Sequence, residues 1–327
     1  MKKLNLFISS LVAVLTLGFT GCGSSSGNDT SSLSFPSDAK VAKPTIENGE
    51  KVKKVTTINQ SRAVPGFSSS GGNVKSHTEK LKARKEKMSK EMLAYTQKDT
   101  DMQPYASDTE AVSVTEECTG GGTLSYSGNG NLSGAANLTY AANNCVEGNM
   151  KLNGHVHITV SNLDENSKNF KDYTIRYITD FTATDLYENS SEKISPDSHM
   201  EIHVTKFKIS GEIEEYTLGT SIQATKGTEF YGLKDCIFQV KETNDTEEMY
   251  QTTGKVYIDN LDLYVEYDTS YDMSKTPFVF NKDTGELLSG KAIYKMDGNG
   301  KVKVVVEGNR KRTYVDTDGD GTYELSE

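Results

Sequence analysis

Asp316, Asp318 and Asp320 alternate along the C-terminal run Asp316-Thr317-Asp318-Gly319-Asp320-Gly321-Thr322-Tyr323-Glu324-Leu325-Ser326-Glu327. Short carboxylates at every second position can wrap their oxygens around a hard cation, and glycine at 321 permits the sharp turn that such wrapping needs. Thr322, Glu324 and Glu327 complete the candidate ligand set, and the chemistry is calcium binding. A plain polar turn that uses Asp and Gly for their backbone preferences is the alternative.

This spacing resembles the EF-hand calcium loop, with Asp at its first, third and fifth positions, Gly at the sixth and Glu at the twelfth. The context differs. Lys311 to Val315 reads as a strand and no helix can follow Glu327, so the expectation is an EF-hand-like loop set in a β-hairpin, with the millimolar affinity of extracellular modules. A second constellation is made of histidines. His155 and His157 share one face of a predicted strand, and His199, Glu201 and His203 share one face of another. If those strands pair, imidazoles and a carboxylate could meet and bind zinc or copper. Solvated histidines on the wet face of a sheet are the alternative.

Nucleophile elbows, zincin helices, Ser/Lys pairs, redox cysteine pairs and phosphate loops are missing from the sequence, which argues against an enzyme. Gly120-Gly121-Gly122 precedes a predicted strand and reads as a turn or bulge. Seventeen tyrosines and no tryptophan could line a sugar-binding face, although tyrosine also packs well across strands.

The elements that must carry these residues are mainly β. From about Ala111 onward, Thr, Val, Ile and Tyr alternate between clusters of Gly, Asn and Asp. Over Tyr173 to Tyr187, Tyr173, Ile175, Tyr177, Phe181, Ala183 and Tyr187 fall on one parity, as a long strand with one buried face requires. A short pattern recurs as Ser133-Gly134, Asn153-Gly154, Ser210-Gly211, Thr253-Gly254 and Ser289-Gly290, each followed by apolar alternation. The spacing is too uneven for a solenoid, so these glycines mark equivalent points where strands of an antiparallel meander begin or bend. Cys145 to Leu163 and Cys236 to Leu261 are also loosely alike, each a cysteine followed by the glycine motif. Cys118 and Cys145 flank one Gly-rich hairpin and form the expected disulfide, leaving Cys236 as a buried thiol.

Ahead of the sheet, residues 73–104 hold the expected helix. Lys75 to Lys98 contains eight basic and three acidic side chains, on a chain whose formal charge is -10. Residues 22–72, rich in Ser, Gly, Asn and Thr, read as a flexible tether in which Val52 to Ile58 could form a short strand. The expected fold is therefore mainly β. It is one large twisted antiparallel sheet over residues 105–327, curling as a half-barrel around a single N-terminal helix.

The first residues supply an address. Lys2 and Lys3 precede an apolar run, Leu4 to Phe19, that is short for a membrane span. Leu17-Gly18-Phe19-Thr20-Gly21-Cys22 then resembles the lipobox of bacterial lipoproteins, with Phe19 where Leu, Val or Ile is usual. The resemblance implies removal of residues 1–21, lipidation of Cys22 and anchoring by its acyl chains. Gly23 after the cysteine implies the outer membrane in a cell with two membranes. Nucleic acid is excluded as a partner by the acidic charge. A non-enzymatic binding or structural role at the envelope is the leading expectation. A carrier that holds lipid or another apolar ligand in the curled sheet is the second, and a calcium-stabilised hydrolase the third.

Overall fold

The computed structural model describes residues 33–61 and 110–326, apart from 132–134, 149, 165–168, 187–188, 209–212, 244, 282–286 and 309. The sequence alternation becomes one 18-stranded sheet. Its first half runs through β2 (Glu110–Glu117), β3 (Thr123–Asn131), β4 (Ala135–Glu147) and β5 (Met150–Asp164), each antiparallel to the one before. The next two positions are each filled by two half-strands. β6 (Asn169–Tyr177) and β7 (Phe181–Asp185) both pair with β5, while β8 (Ser190–Ile194) and β9 (His199–Phe207) pair with β7 and β6. Both then pair with β10 (Ile213–Lys226), and β11 (Glu229–Glu242) and β12 (Thr246–Ile258) follow. β13 (Leu263–Tyr267) and β14 (Phe278–Asn281) again share one position, and β15 (Leu287–Lys295), β16 (Lys301–Glu307), β17 (Arg310–Asp316) and β18 (Glu324–Ser326) complete the meander. One short strand, β1 (Lys40–Val41), adds parallel to β13 and makes the sheet mixed.

Side-chain parity decides which face is core. On β16, Val302, Val304 and Val306 are buried while Lys301, Lys303 and Val305 face outward. The same alternation buries Tyr173, Ile175 and Tyr177, then Phe181 and Ala183, so the stretch expected as one long strand keeps its buried face across the break between β6 and β7.

The recurring glycines explain the breaks. Gly154, Gly254 and Gly290 have φ of +130°, +120° and +147°, and a Cβ at each would strike the backbone of the next strand. At Gly154 it would lie 2.6 Å from the Asp180 carbonyl oxygen, at the gap between β6 and β7. At Gly290 it would lie 2.6 Å from Phe278 Cα, where β14 begins. At Gly254 it would lie 2.4 Å from Cys236 Cα, beside a register shift between Lys234 and Ile237. Gly134 and Gly211 fall outside the described residues. The likeness between the two cysteine segments is also geometric. Asn144 before Cys145 and Asp235 before Cys236 both take positive φ, +49° and +50°, at a bulge opposite the glycine.

Cys118 and Cys145 are joined by a disulfide with their Cα atoms 5.4 Å apart, and Cys236 is a fully buried thiol. Closing a loop of this length stabilises the fold by about 3 to 4 kcal/mol through the unfolded chain. Reduction, or a Cys118→Ala/Cys145→Ala double variant, is expected to lower the urea midpoint accordingly, and an unchanged midpoint would sink that attribution.

A helix stands in a segment that the sequence reads as tether. This is α1 (Ile46–Ser61), and residues 33–61 pack on the sheet instead of hanging free. Val52 to Ile58, expected as a short strand, is helical. The predicted helix at 73–104 and the tether at 22–32 and 62–72 lie outside the described residues. Thr45 caps α1, its Oγ1 accepting from Asn48 N at 3.2 Å. Few apolar residues line this helix, but Val52, Val55 and Thr56 are buried against the sheet. Gly49 lets it approach β17 closely, since a Cβ there would sit 2.5 Å from Val315 Cγ2. α1 touches β12 and β15 through β18, so it occupies the apolar face of the sheet's C-terminal half. A second small cluster fixes the chain before it. Phe35 stacks on Tyr257 with ring centroids 4.6 Å apart, beside Leu261.

Candidate metal centre

β17 delivers Asp316 to the rim of the sheet immediately after the buried Val315, and the loop 317–323 turns back into β18. Asp316 is only 2% exposed. Its Oδ1 accepts from Gly319 N at 2.8 Å and its Oδ2 from Gly321 N at 3.1 Å. Asp318 Oδ1 accepts from Asp320 N at 3.2 Å, and Asp320 Oδ1 from Thr322 N at 2.6 Å. That backbone donor holds the Asp320 carboxyl below the usual carboxylate range. Gly319 and Gly321 take φ of +79° and +90°, in the region open to glycine.

The three carboxylates each bring an oxygen within 4.8 Å of the other two. The donor set fits a hard cation, because every group is an oxygen and each carboxylate oxygen that accepts one N–H keeps a second lone-pair site. Glu324 is turned toward the loop, its Oε1 accepting from Thr317 Oγ1 at 3.2 Å. Thr322 contributes its backbone N–H to Asp320, and Glu327 lies outside the described residues. Lys301 stands opposite Asp316 in the ladder, and a fixed ammonium beside the first carboxylate weakens attraction for a cation.

Lys301 belongs to a second carboxylate that sequence reading missed. Asp268, at the end of β13, is buried, with Lys301 Nζ 2.7 Å from Oδ2 and Lys295 Nζ 3.6 Å from Oδ1. Ser270 donates to Oδ1 from both N and Oγ, at 3.1 and 2.7 Å. Burial alone would push this carboxyl up, but the Lys301 and Ser270 hydrogen bonds outweigh it and hold it at about 2. A carboxyl depressed on folding adds stability above its unfolded value, and that stability is lost as pH falls from about 4 toward 2. The wild-type chain is expected to lose about 2 kcal/mol across that window. Asp268→Asn should flatten this limb of the stability profile, measured by urea melts from pH 2 to 5. The visible signal in the sequence was Asp-x-Ser closing a strand.

The histidines do not converge. β5 and β9 flank β6, so they never pair directly. The register runs His157, Arg176, His199 across the three strands, which puts a guanidinium between the two imidazole positions. His203 is engaged with Asp172, and His199 with the Asp197 carbonyl oxygen at 3.1 Å. His155 is exposed at the β5 edge of this row, opposite Ala141. Cys118, Cys145 and Glu147 also lie close together, but the two sulfurs are bonded to each other and Glu147 accepts from Thr119.

Among the described residues, no helix is long and apolar enough to cross a membrane. Cys22 lies outside the described residues. A scan against protein-family models, a search of curated proteins and a search of solved structures each found no match, so the chain's chemistry is read from its own geometry.

Proposed function

We propose that this chain is a lipid-anchored protein of the bacterial envelope that works by binding or scaffolding, with a calcium ion held in its terminal loop. The observation that carries the non-enzymatic part is how the sheet spends its two faces. The apolar face is filled by α1 and by core side chains such as Ile175, Phe278 and Tyr294, while the titratable groups of the outer face are spread along the ladders. Among the described residues, the one group of three carboxylates close enough to share an ion is in the Asp316 loop. A carrier would need the space that Val52 and Val55 take up, so the packing favours the structural role. The anchor rests on the lipobox-like residues, with Cys22 carrying acyl chains that bury about 0.8 kcal/mol per methylene. In a cell with two membranes the outer one is its place.

Two measurements test the reading. Radiolabelled palmitate should enter the wild-type chain in a bacterial host and not the Cys22→Ala variant, which should leave the membrane fraction. Native mass spectrometry of the detergent-solubilised full chain should show calcium and no retained fatty acid or phospholipid; a retained lipid would move the assignment to a carrier.

In the calcium arm, Asp316, Asp318 and Asp320 would hold the ion, with the carbonyl of Thr322 and the side chains of Glu324 and Glu327 completing the shell. Calcium in the millimolar range is expected to raise the melting temperature, and Asp318→Asn/Asp320→Asn to weaken binding at least tenfold. Both changed residues are exposed, so the double variant should melt like wild type in chelator. Equal calcium response in the two proteins would reduce the loop to a polar turn.

A further inference from the structure

The outer face of β15 through β17 carries a cluster of basic side chains set against tyrosine rings. Lys291, Lys303 and Arg312 share this face, on three adjacent strands. Lys303 Nζ lies 4.5 Å from the Tyr314 ring centroid and 4.2 Å from that of Tyr323, and Lys291 Nζ lies 4.9 Å from that of Tyr271. Lower on the same face Lys295 and Lys301 share the Asp268 carboxylate, and Arg312 has Glu307 at 3.7 Å. Lys291 and Lys303 have no carboxylate partner among the described residues, although they stand diagonal to each other, about 7 to 8 Å apart by ladder geometry. Burial and the charge of Lys291 together push the Lys303 ammonium below its usual range. Lys303 over two rings and Lys291 over a third thus bring two like charges to one face of a chain whose net charge is -10.

We propose that Lys291 and Lys303, with the rings of Tyr271, Tyr314 and Tyr323, form a binding face for an acidic polysaccharide. The ammonium groups meet its acid substituents, and the amphipathic phenols meet the ring carbons and hydroxyls between them. Nucleic acid fits less well, because its charge density, one per about 1.7 Å of duplex, is repelled by the acidic remainder of the molecule. The inference deepens the binding role proposed above and rests on it, but needs neither the lipid anchor nor the calcium ion.

The test uses the full chain in neutral detergent and calorimetric or interferometric titration with four probes. These are oligogalacturonate, phosphomannan, a neutral malto-oligosaccharide and polyglutamate. Binding of oligogalacturonate or phosphomannan at least tenfold tighter than of the neutral sugar and of polyglutamate is expected, and the preferred probe identifies the acid group as carboxylate or phosphate. Lys291→Gln/Lys303→Gln should weaken it at least tenfold and lower its salt dependence, and Tyr314→Leu/Tyr323→Leu should weaken it while leaving polyglutamate unaffected. The melting temperature of each variant reports folding. Equal affinity for polyglutamate, no binding of either acidic glycan, or indifference to both double variants would overturn the proposal. So would a concentration-dependent dimer that Lys291→Gln/Lys303→Gln abolishes, which would give the face to a second copy. Palmitate labelling of the same preparation stands or falls separately.

Discussion

Gly254→Val is expected to destabilise the fold by about 4 kcal/mol, combining backbone strain of about 1 to 3 kcal/mol with overpacking of similar size. The φ of +120° at this position excludes a β-branched residue, and its Cβ would sit 2.4 Å from Cys236 Cα and 2.5 Å from Cys236 Sγ. Neither atom can yield. Cys236 is completely buried, and Gln251 and Tyr294 pack with it in a hydrogen-bonded row, Tyr294 Oη donating to Gln251 Oε1 at 3.0 Å. Gly227→Ala is the comparison. Its φ of +62° is also positive, yet nothing lies within 4 Å of the added carbon, so only the left-handed backbone penalty of about 1 to 2 kcal/mol applies. Urea midpoints of the two variants separate collision from backbone strain. Similar losses would mean that close approach at the bend is not what glycine provides.

Val52→Asp should cost about 3 to 5 kcal/mol, as expected when a charge is left buried without a partner. Val52 is fully buried on the sheet-facing side of α1, where Gly49 brings the helix onto Val315 and Thr313. The loss should come with new protease cleavage inside residues 33–61, because Val52, Val55 and Thr56 carry the helix's buried contact with the sheet beside Gly49. Ile46→Asp, on the same helix but half exposed, should change stability by less than about 0.5 kcal/mol. A Val52→Asp chain that melts and resists protease like wild type would show that α1 does not stabilise the sheet.

The two variants mark where sequence reading succeeded and where it stopped. Strand parity was legible because a sheet with one wet face must alternate, and Val302, Val304 and Val306 against Lys301 and Lys303 carry that alternation plainly. The bends were legible too, since glycine recurs where only glycine fits, and so was the Cys118–Cys145 pairing. α1 was not. Ile46 to Ser61 holds Gly, Thr and Asn, poor helix formers, and it is helical because the sheet's apolar face must be covered, a demand set by β12 and β15 through β18. At the histidines, periodicity placed each imidazole on the correct face but could not say that β6 would come between β5 and β9. The carboxylate loop is the converse case. Its spacing was readable and its oxygens do converge, while the lysine facing Asp316 depends on a register that no local pattern specifies.

The meander also sets a timetable. From β2 onward each strand, or half-strand, pairs with its near neighbours in the chain, so the ladder can grow stepwise as the polypeptide emerges, with modest loop-closure cost at each addition. α1 is the exception. It emerges among the earliest of the described segments, yet Thr313 and Val315, on which it settles, are among the last. Until β16 and β17 are in place, α1 lacks the surface formed by Thr313 and Val315, although Phe35 and β1 can already settle on Tyr257 and β13. Docking of α1 is therefore a closing event, and the interval before it is when the nascent chain is most open to aggregation or to a chaperone.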